Sequence, residues 1–290
     1  MILSPFDGHK GRSNTKPRLS HLLALSVVPA CFALCAPGAR SRAAADSAFR
    51  GDSARAVDSA GSPRLPLPYV EKAGTRGRIT IWVVDGSWVR THRDEEFTNY
   101  GQHYAFNFIP RNEFWIDREG VPDELRFFVD HLLVERRLMA RGVSYDDALA
   151  AADSLERKER KAAGDVARLT AGGKLPDPEA VHTAIWKHLP SGVTVWLVDG
   201  RLVRSVFDVD FTEGGHDHVY EFVPPNEVWI DNDVADAERP YILLHELHER
   251  NLMAKGWDYD RAHEDASRIE LRCRRDPQAL HPALAAEGWE

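Results

Sequence analysis

Apolar positions, mostly β-branched or aromatic, run almost unbroken through "VTVWLVD" (193–199), the composition of a strand. Asp199-Gly200 comes next, a dipeptide that closes short hairpins, so "RLVRSVF" is expected to return as a second strand. "HVYEFV" reads as a third strand, ended by Pro224, and "EVWID" as a fourth. Asn226-Glu227, just after the proline, reads as a fixed turn between them. Beyond Asp231 the apolar spacing becomes helical. "AERPYILLHELHERNLMAK" has Pro240 in its first turn and Gly256 as a stop, and "YDRAHEDASRIELRCRR" supplies a second helix.

The same succession occurs 114 residues earlier. "TIWVVDGSWVR" (80–90) matches "TVWLVDGRLVR" (194–204), and "FIPRNEFWID" (108–117) matches "FVPPNEVWID" (222–231). Residues 79–156 and 193–270 align without a gap, with 32 of 78 positions identical. One domain therefore occurs twice. The expected fold is α+β: two tandem repeats, each a small antiparallel sheet of about four strands followed by a helical hairpin on one face. The first repeat spans 77–160 and the second 193–275. Between them, 161–192 reads as a linker holding a short helix at "EAVHTAIWKHL", and 276–290 as a tail. Trp82, Trp196, Trp115 and Trp229 recur at strand positions and read as core aromatics.

The N-terminal part differs in composition. Lys10, Arg12, Lys16 and Arg18 precede "LLALSVVPACFALCA" and small residues at Ala43–Ala45. Residues 1–45 thus resemble an export signal and favour an exported or periplasmic protein, with a cytoplasmic one the alternative. Pro29 breaks the apolar run, which is too short to read as a membrane span. Residues 46–76, rich in Ala, Ser, Pro and Arg, read as a disordered spacer. Cys31 and Cys35 belong to the leader, which leaves Cys273 alone in the body and excludes a cysteine-based zinc site there.

Charge is divided unevenly. Residues 77–290 carry 26 Lys/Arg against 40 Asp/Glu, a balance that repels phosphate backbones and argues against nucleic acid as a partner. It suits a cation, or simply a solvated surface. Candidate chemistry lies in "LLHELHERNLMAKG" (243–256). His245 and Glu249, four apart, share a helical face that Leu243, Leu244 and Leu247 make largely apolar. A carboxylate at the edge of a core is costly without a cation or donor beside it. Glu246 points to the flank. His263, in the next helix, is the first candidate for a third ligand, reaching toward Glu249 when the hairpin folds, while Glu270 falls opposite His245. His216 and His218 alternate by two and would share one strand face. Neither a glycine loop for phosphate nor a nucleophile elbow is present.

"EVWID", a short acidic loop and "ILLHELHE" together resemble the core of zincin-type metallopeptidases, in which an edge strand precedes a helix bearing HExxH. About 25 residues carry the resemblance, and Glu249 stands where the family has its second histidine. The pattern is also similar to small uncharacterised bacterial and phage-type domains. The zincin resemblance implies zinc held by His245, Glu249 and His263, Glu246 as general base, and a peptide or protein substrate. His216, His218 and Glu270 are additional candidates, the first two as ligand or oxyanion donor. Zinc accepts carboxylate oxygen, so a His, Glu, His set is chemically sound. The first repeat keeps His131, Glu135 and Glu156, but has Leu132, Leu149, Gln102 and Tyr104 opposite Glu246, His263, His216 and His218. Two expectations fit. The second repeat is a metal-dependent hydrolase beside an inactive copy; or the protein is a non-enzymatic binding or scaffold protein, its His/Glu pairs structural, its "GGHDH" and "NEVWID" turns presented to a partner.

Overall fold

A computed structural model describes residues 66–120, 123–169 and 176–290. The export-signal segment 1–45 and the spacer as far as residue 65 lie outside the described residues. The first repeat runs β1 (Tyr69–Arg76), β2 (Ile79–Val84), α1 (Gly86–His92), β3 (Tyr100–Gln102), β4 (Glu113–Asp117), α2 (Leu125–Met139) and α3 (Tyr145–Ala162), then a short α4 (Asp165–Leu169). The second runs β5 (His182–His188), β6 (Thr194–Val198), α5 (Gly200–Val206), β7 (Gly214–His216), β8 (Glu227–Asp231), α6 (Arg239–Ala254) and α7 (Tyr259–Arg275), then α8 (Leu280–Ala286). Two tandem sheet-plus-helix units of the α+β class result.

The sheets are mixed rather than antiparallel, in the orders β1-β2-β4-β3 and β5-β6-β8-β7. β2 pairs parallel with β4, and β6 with β8, placing Trp82 beside Trp115 and Trp196 beside Trp229. The cause lies at Asp85-Gly86 and Asp199-Gly200, which open helices instead of closing hairpins. Asp85 and Asp199 are N-caps, accepting from the amides of Trp88 and Leu202 at 3.1 and 3.0 Å. With a helix where a returning strand was expected, the chain crosses over and pairs in parallel. "HVYEFV" is likewise no strand: the third strand is the preceding "GGH", and the chain turns after it. The fourth strand of each unit comes from segments read as spacer and as linker helix, β1 within 66–76 and β5 within "HTAIWKH". The 276–290 tail includes α8, whose Ala283 and Leu284 pack against the apolar side of α6.

In the second unit, Leu243, Leu244 and Leu247 of α6 close on Val195, Val228 and Ile230 of the sheet, each such side chain contributing roughly 1.5–3 kcal/mol through burial. Trp229 lies in the core on the other face with Leu202, Val203 and Phe211. Trp115 is equally buried, whereas Trp82 and Trp196 are half-buried, against Tyr69 and His182.

The units contact each other reciprocally. Arg90 of α1 bonds Asp117 of its own unit (2.8 Å) and Glu213 and Glu238 of the other (2.5 and 3.1 Å). Arg204 of α5 bonds its own Asp231 (2.8 Å) and Glu124 of the first unit (3.0 Å). Glu238 then holds Arg274, which holds Glu270; Glu124 holds Arg160, which holds Glu156. Apart from Glu213, whose equivalent position holds Asn99, every residue of one chain of contacts lies 114 positions from its counterpart in the other, as across a two-fold axis. All these groups are buried, and buried charges persist only where partners surround them.

Candidate metal centre

The α6–α7 hairpin builds the centre. Asp258 caps α7 by accepting from the Arg261 amide at 3.0 Å, and Gly256, at φ +92°, makes the left-handed turn that ends α6. The returning helix sets His263 against Glu249. His245 Nε2, His263 Nδ1 and Glu249 Oε2 form a triangle with sides of 3.1, 2.8 and 3.6 Å. Three ligands of a tetrahedral ion at about 2.0–2.1 Å would stand about 3.3 Å apart. The three donors thus form a group that could hold a metal ion.

Each of the three is held from behind. Glu270 accepts from His245 Nδ1 at 2.9 Å, and Glu96 accepts from His263 Nε2 at 3.2 Å. Both outer nitrogens thus act as donors, as in the carboxylate–histidine arrangement of metal sites; with an ion bound, the inner ones would offer lone pairs. His216 completes the set. Its Nδ1 accepts from the His218 amide at 3.2 Å, so the proton sits on Nε2, which donates to Glu249 Oε1 at 3.0 Å. The structure thus places His216 against Glu249 and Glu270 against His245, beside the triangle; His216, Glu246 and Glu249 also bring ligand atoms within 4.8 Å of one another.

Electrostatics agree. Burial opposes charge on His245, but Glu249 and Glu270 outweigh it and raise its pKa well above the ordinary value. His263 rises to about 9: burial lowers it, and hydrogen bonds to Glu249 and Glu96 more than compensate. Burial would raise Glu249, but donors from His216, His245 and His263 hold it far below the usual range. The two inner nitrogens, 3.1 Å apart, cannot both carry protons along their shared line. A dication would replace that conflict with attraction to three donors.

Glu246 is half-buried next to this set, within 4.8 Å of His216 and Glu249 through its carboxylate. Burial pushes its pKa up to about 8, His245 lowering and Glu249 raising it in turn. Gly214 of β7 makes room for it: a Cβ there would come within 3.0 Å of Glu246 Oε1 and Cγ. His218 does not join the cluster. It is exposed, its ring centroid 6.1 Å from that of His216. The two share a face only within a strand, and β7 ends at His216. Nor does the "GGHDH" turn present much surface, since Gly214–His216 are buried and Arg250 binds Asp217 at 2.6 Å.

Glu96 was not legible in the sequence. It lies in the first unit, 167 positions from His263, and its only signal is that the equivalent position of the second unit, Asp210, is also acidic. The strand that precedes α6, β8, is interior; the edge strand next to the centre is β7. The geometry so departs from the zincin expectation of an edge strand leading into the helix. A second convergence of carboxylates, Asp117, Glu119 and Glu213, is filled by the Arg90 guanidinium.

No family model, no curated protein and no solved structure matches this chain.

Proposed function

We propose that the second repeat is a zincin-like, metal-dependent hydrolase domain acting on peptide bonds, with His245, Glu249 and His263 holding zinc and the first repeat carrying no site of its own. The observation that supports this most is the triangle of inner donor atoms, each held by an outer partner. Zinc bound there would supply Lewis acidity toward a carbonyl oxygen. Glu246 is the general base: it flanks His245, and a neighbouring dication favours its ionised form, the form that accepts a proton from water. His216 keeps Glu249 oriented. Peptide bonds as the substrate rest on the resemblance of the β8–α6 segment to zincins.

Metal content by mass spectrometry and turnover on a peptide library test the reading together. The full chain should carry one equivalent of zinc, His245→Ala none, and Glu246→Gln the full equivalent without turnover. A wild-type chain that takes up no zinc on reloading would sink the assignment.

One observation favours a second reading, a non-enzymatic binding or scaffold protein. The first repeat keeps His131 bonded to Glu156 at 2.8 Å with leucine in the place of His263, so the His/Glu pair also serves as structure. On that reading His245→Ala lowers stability and leaves metal content unchanged.

A further inference from the structure

The loop between α1 and β3 carries Glu96 out of the first unit and against His263 of the second. Its neighbours hold it in place. Asp94 Oδ1 accepts from the Glu96 amide at 3.1 Å, and Phe97, the next residue, is fully buried. Arg90 donates to the Phe97 carbonyl at 3.2 Å while binding Glu213 and Glu238 of the second unit. The side chain that joins the units therefore also holds the loop from which Glu96 reaches across. The mirror-image loop behaves differently. Asp210 of the second unit pairs with Arg157 of the first at 3.9 Å, beside a cluster in which Leu149 replaces the histidine.

We propose that Glu96 of the first repeat is the outer partner of His263 in the second, so that the nominally inactive repeat sets how tightly the other holds its ion. The inference rests on the zinc assignment above. Glu96 touches neither ion nor substrate; it is a positioning residue, fixing which His263 nitrogen carries the proton and where the ring points. A carboxylate in this role raises the basicity of the histidine, and its loss typically weakens metal binding about 10- to 100-fold.

Zinc affinity of the full-length chain, measured by competition with a chelating dye, tests it in wild type, Glu96→Gln, Glu96→Ala and Asp210→Ala. The expected order is wild type and Asp210→Ala together, then Glu96→Gln, then Glu96→Ala about 10- to 100-fold weaker than wild type. Glu96→Gln keeps the size and an acceptor oxygen, so it separates lost charge from lost fold. Unchanged affinity in both Glu96 variants, with zinc still bound, would overturn this inference alone. Equal weakening in Asp210→Ala would overturn it too, by showing that the contact merely joins the units. Absence of zinc in wild type would overturn the underlying assignment and, with it, this role.

Discussion

Leu149 and His263 occupy the same place in the two copies, and that single exchange separates a triangle of donor atoms from a packed interior. The rest of the first-copy arrangement survives. His131 Nε2 lies 3.4 Å from Glu135, Glu156 holds His131 Nδ1 at 2.8 Å, and Gln102 donates to Glu135 at 2.7 Å, as His216 does to Glu249. His131 Nε2 is buried without a hydrogen-bond partner, at the atom whose counterpart in His245 faces the proposed ion.

Leu149→His is therefore a constructive test. It supplies the one missing donor to His131 and Glu135, and zinc content should rise from about one equivalent to about two, with the second site about 5- to 150-fold weaker than the first because burying imidazole in place of leucine costs roughly 1–3 kcal/mol. A chain that still binds one equivalent after the exchange would show that the triangle alone does not make the site.

Stability should depend on pH differently with and without metal. The ordinary histidine value is about 6.5, and His263 in the metal-free fold sits near 9. A raised pKa adds stability that is complete below the unfolded value and lost as pH climbs through the folded one. The metal-free protein should therefore lose this contribution between about pH 6.5 and 9. Zinc needs both imidazoles neutral, so its binding strengthens over the same interval. Thermal melts with and without zinc should diverge steadily from pH 6.5 upward; a separation that stays constant with pH would mean these histidines do not release protons to bind it.

Gly200 and Gly86 should tolerate no side chain, for want of space rather than of backbone freedom. A Cβ at Gly200 would lie 1.8 Å from Asp231 Oδ2, and one at Gly86 1.6 Å from Asp117 Oδ2. Those carboxylates cannot retreat, because Arg204 and Arg90 hold each at 2.8 Å. Gly200→Ala should cost at least about 1–3 kcal/mol, the usual range for overpacking, read as a lower denaturant midpoint. A neutral result would show that the aspartates move freely.

The same glycines explain what the sequence could not disclose about the fold. Asp-Gly signals a hairpin when the glycine is needed for a positive φ; here it is needed so that a carboxylate can sit over a helix N-terminus, with Gly86 donating to Asp117 at 3.3 Å. Only the folded sheet brings Asp117 there, so period and dipeptide alone pointed to the wrong element and hence to an antiparallel sheet. The duplication, the α6–α7 hairpin and the meeting of His245, Glu249, His263 and Glu270 were readable because they depend on local helical spacing and one turn. The buried state of His216 and the reach of Glu96 were not, since the first depends on where a three-residue strand stops and the second on docking between units.

The crossed Arg90–Glu238 and Arg204–Glu124 contacts give this chain a freedom that an assembly of identical subunits lacks. In a symmetric dimer every substitution appears on both sides of the axis, so an alteration that helps one site by spoiling its neighbour's spoils both. Joined in one polypeptide, the halves are free to diverge. One keeps three donor atoms facing inward; the other lends it an acid from outside and fills its own hollow with leucine.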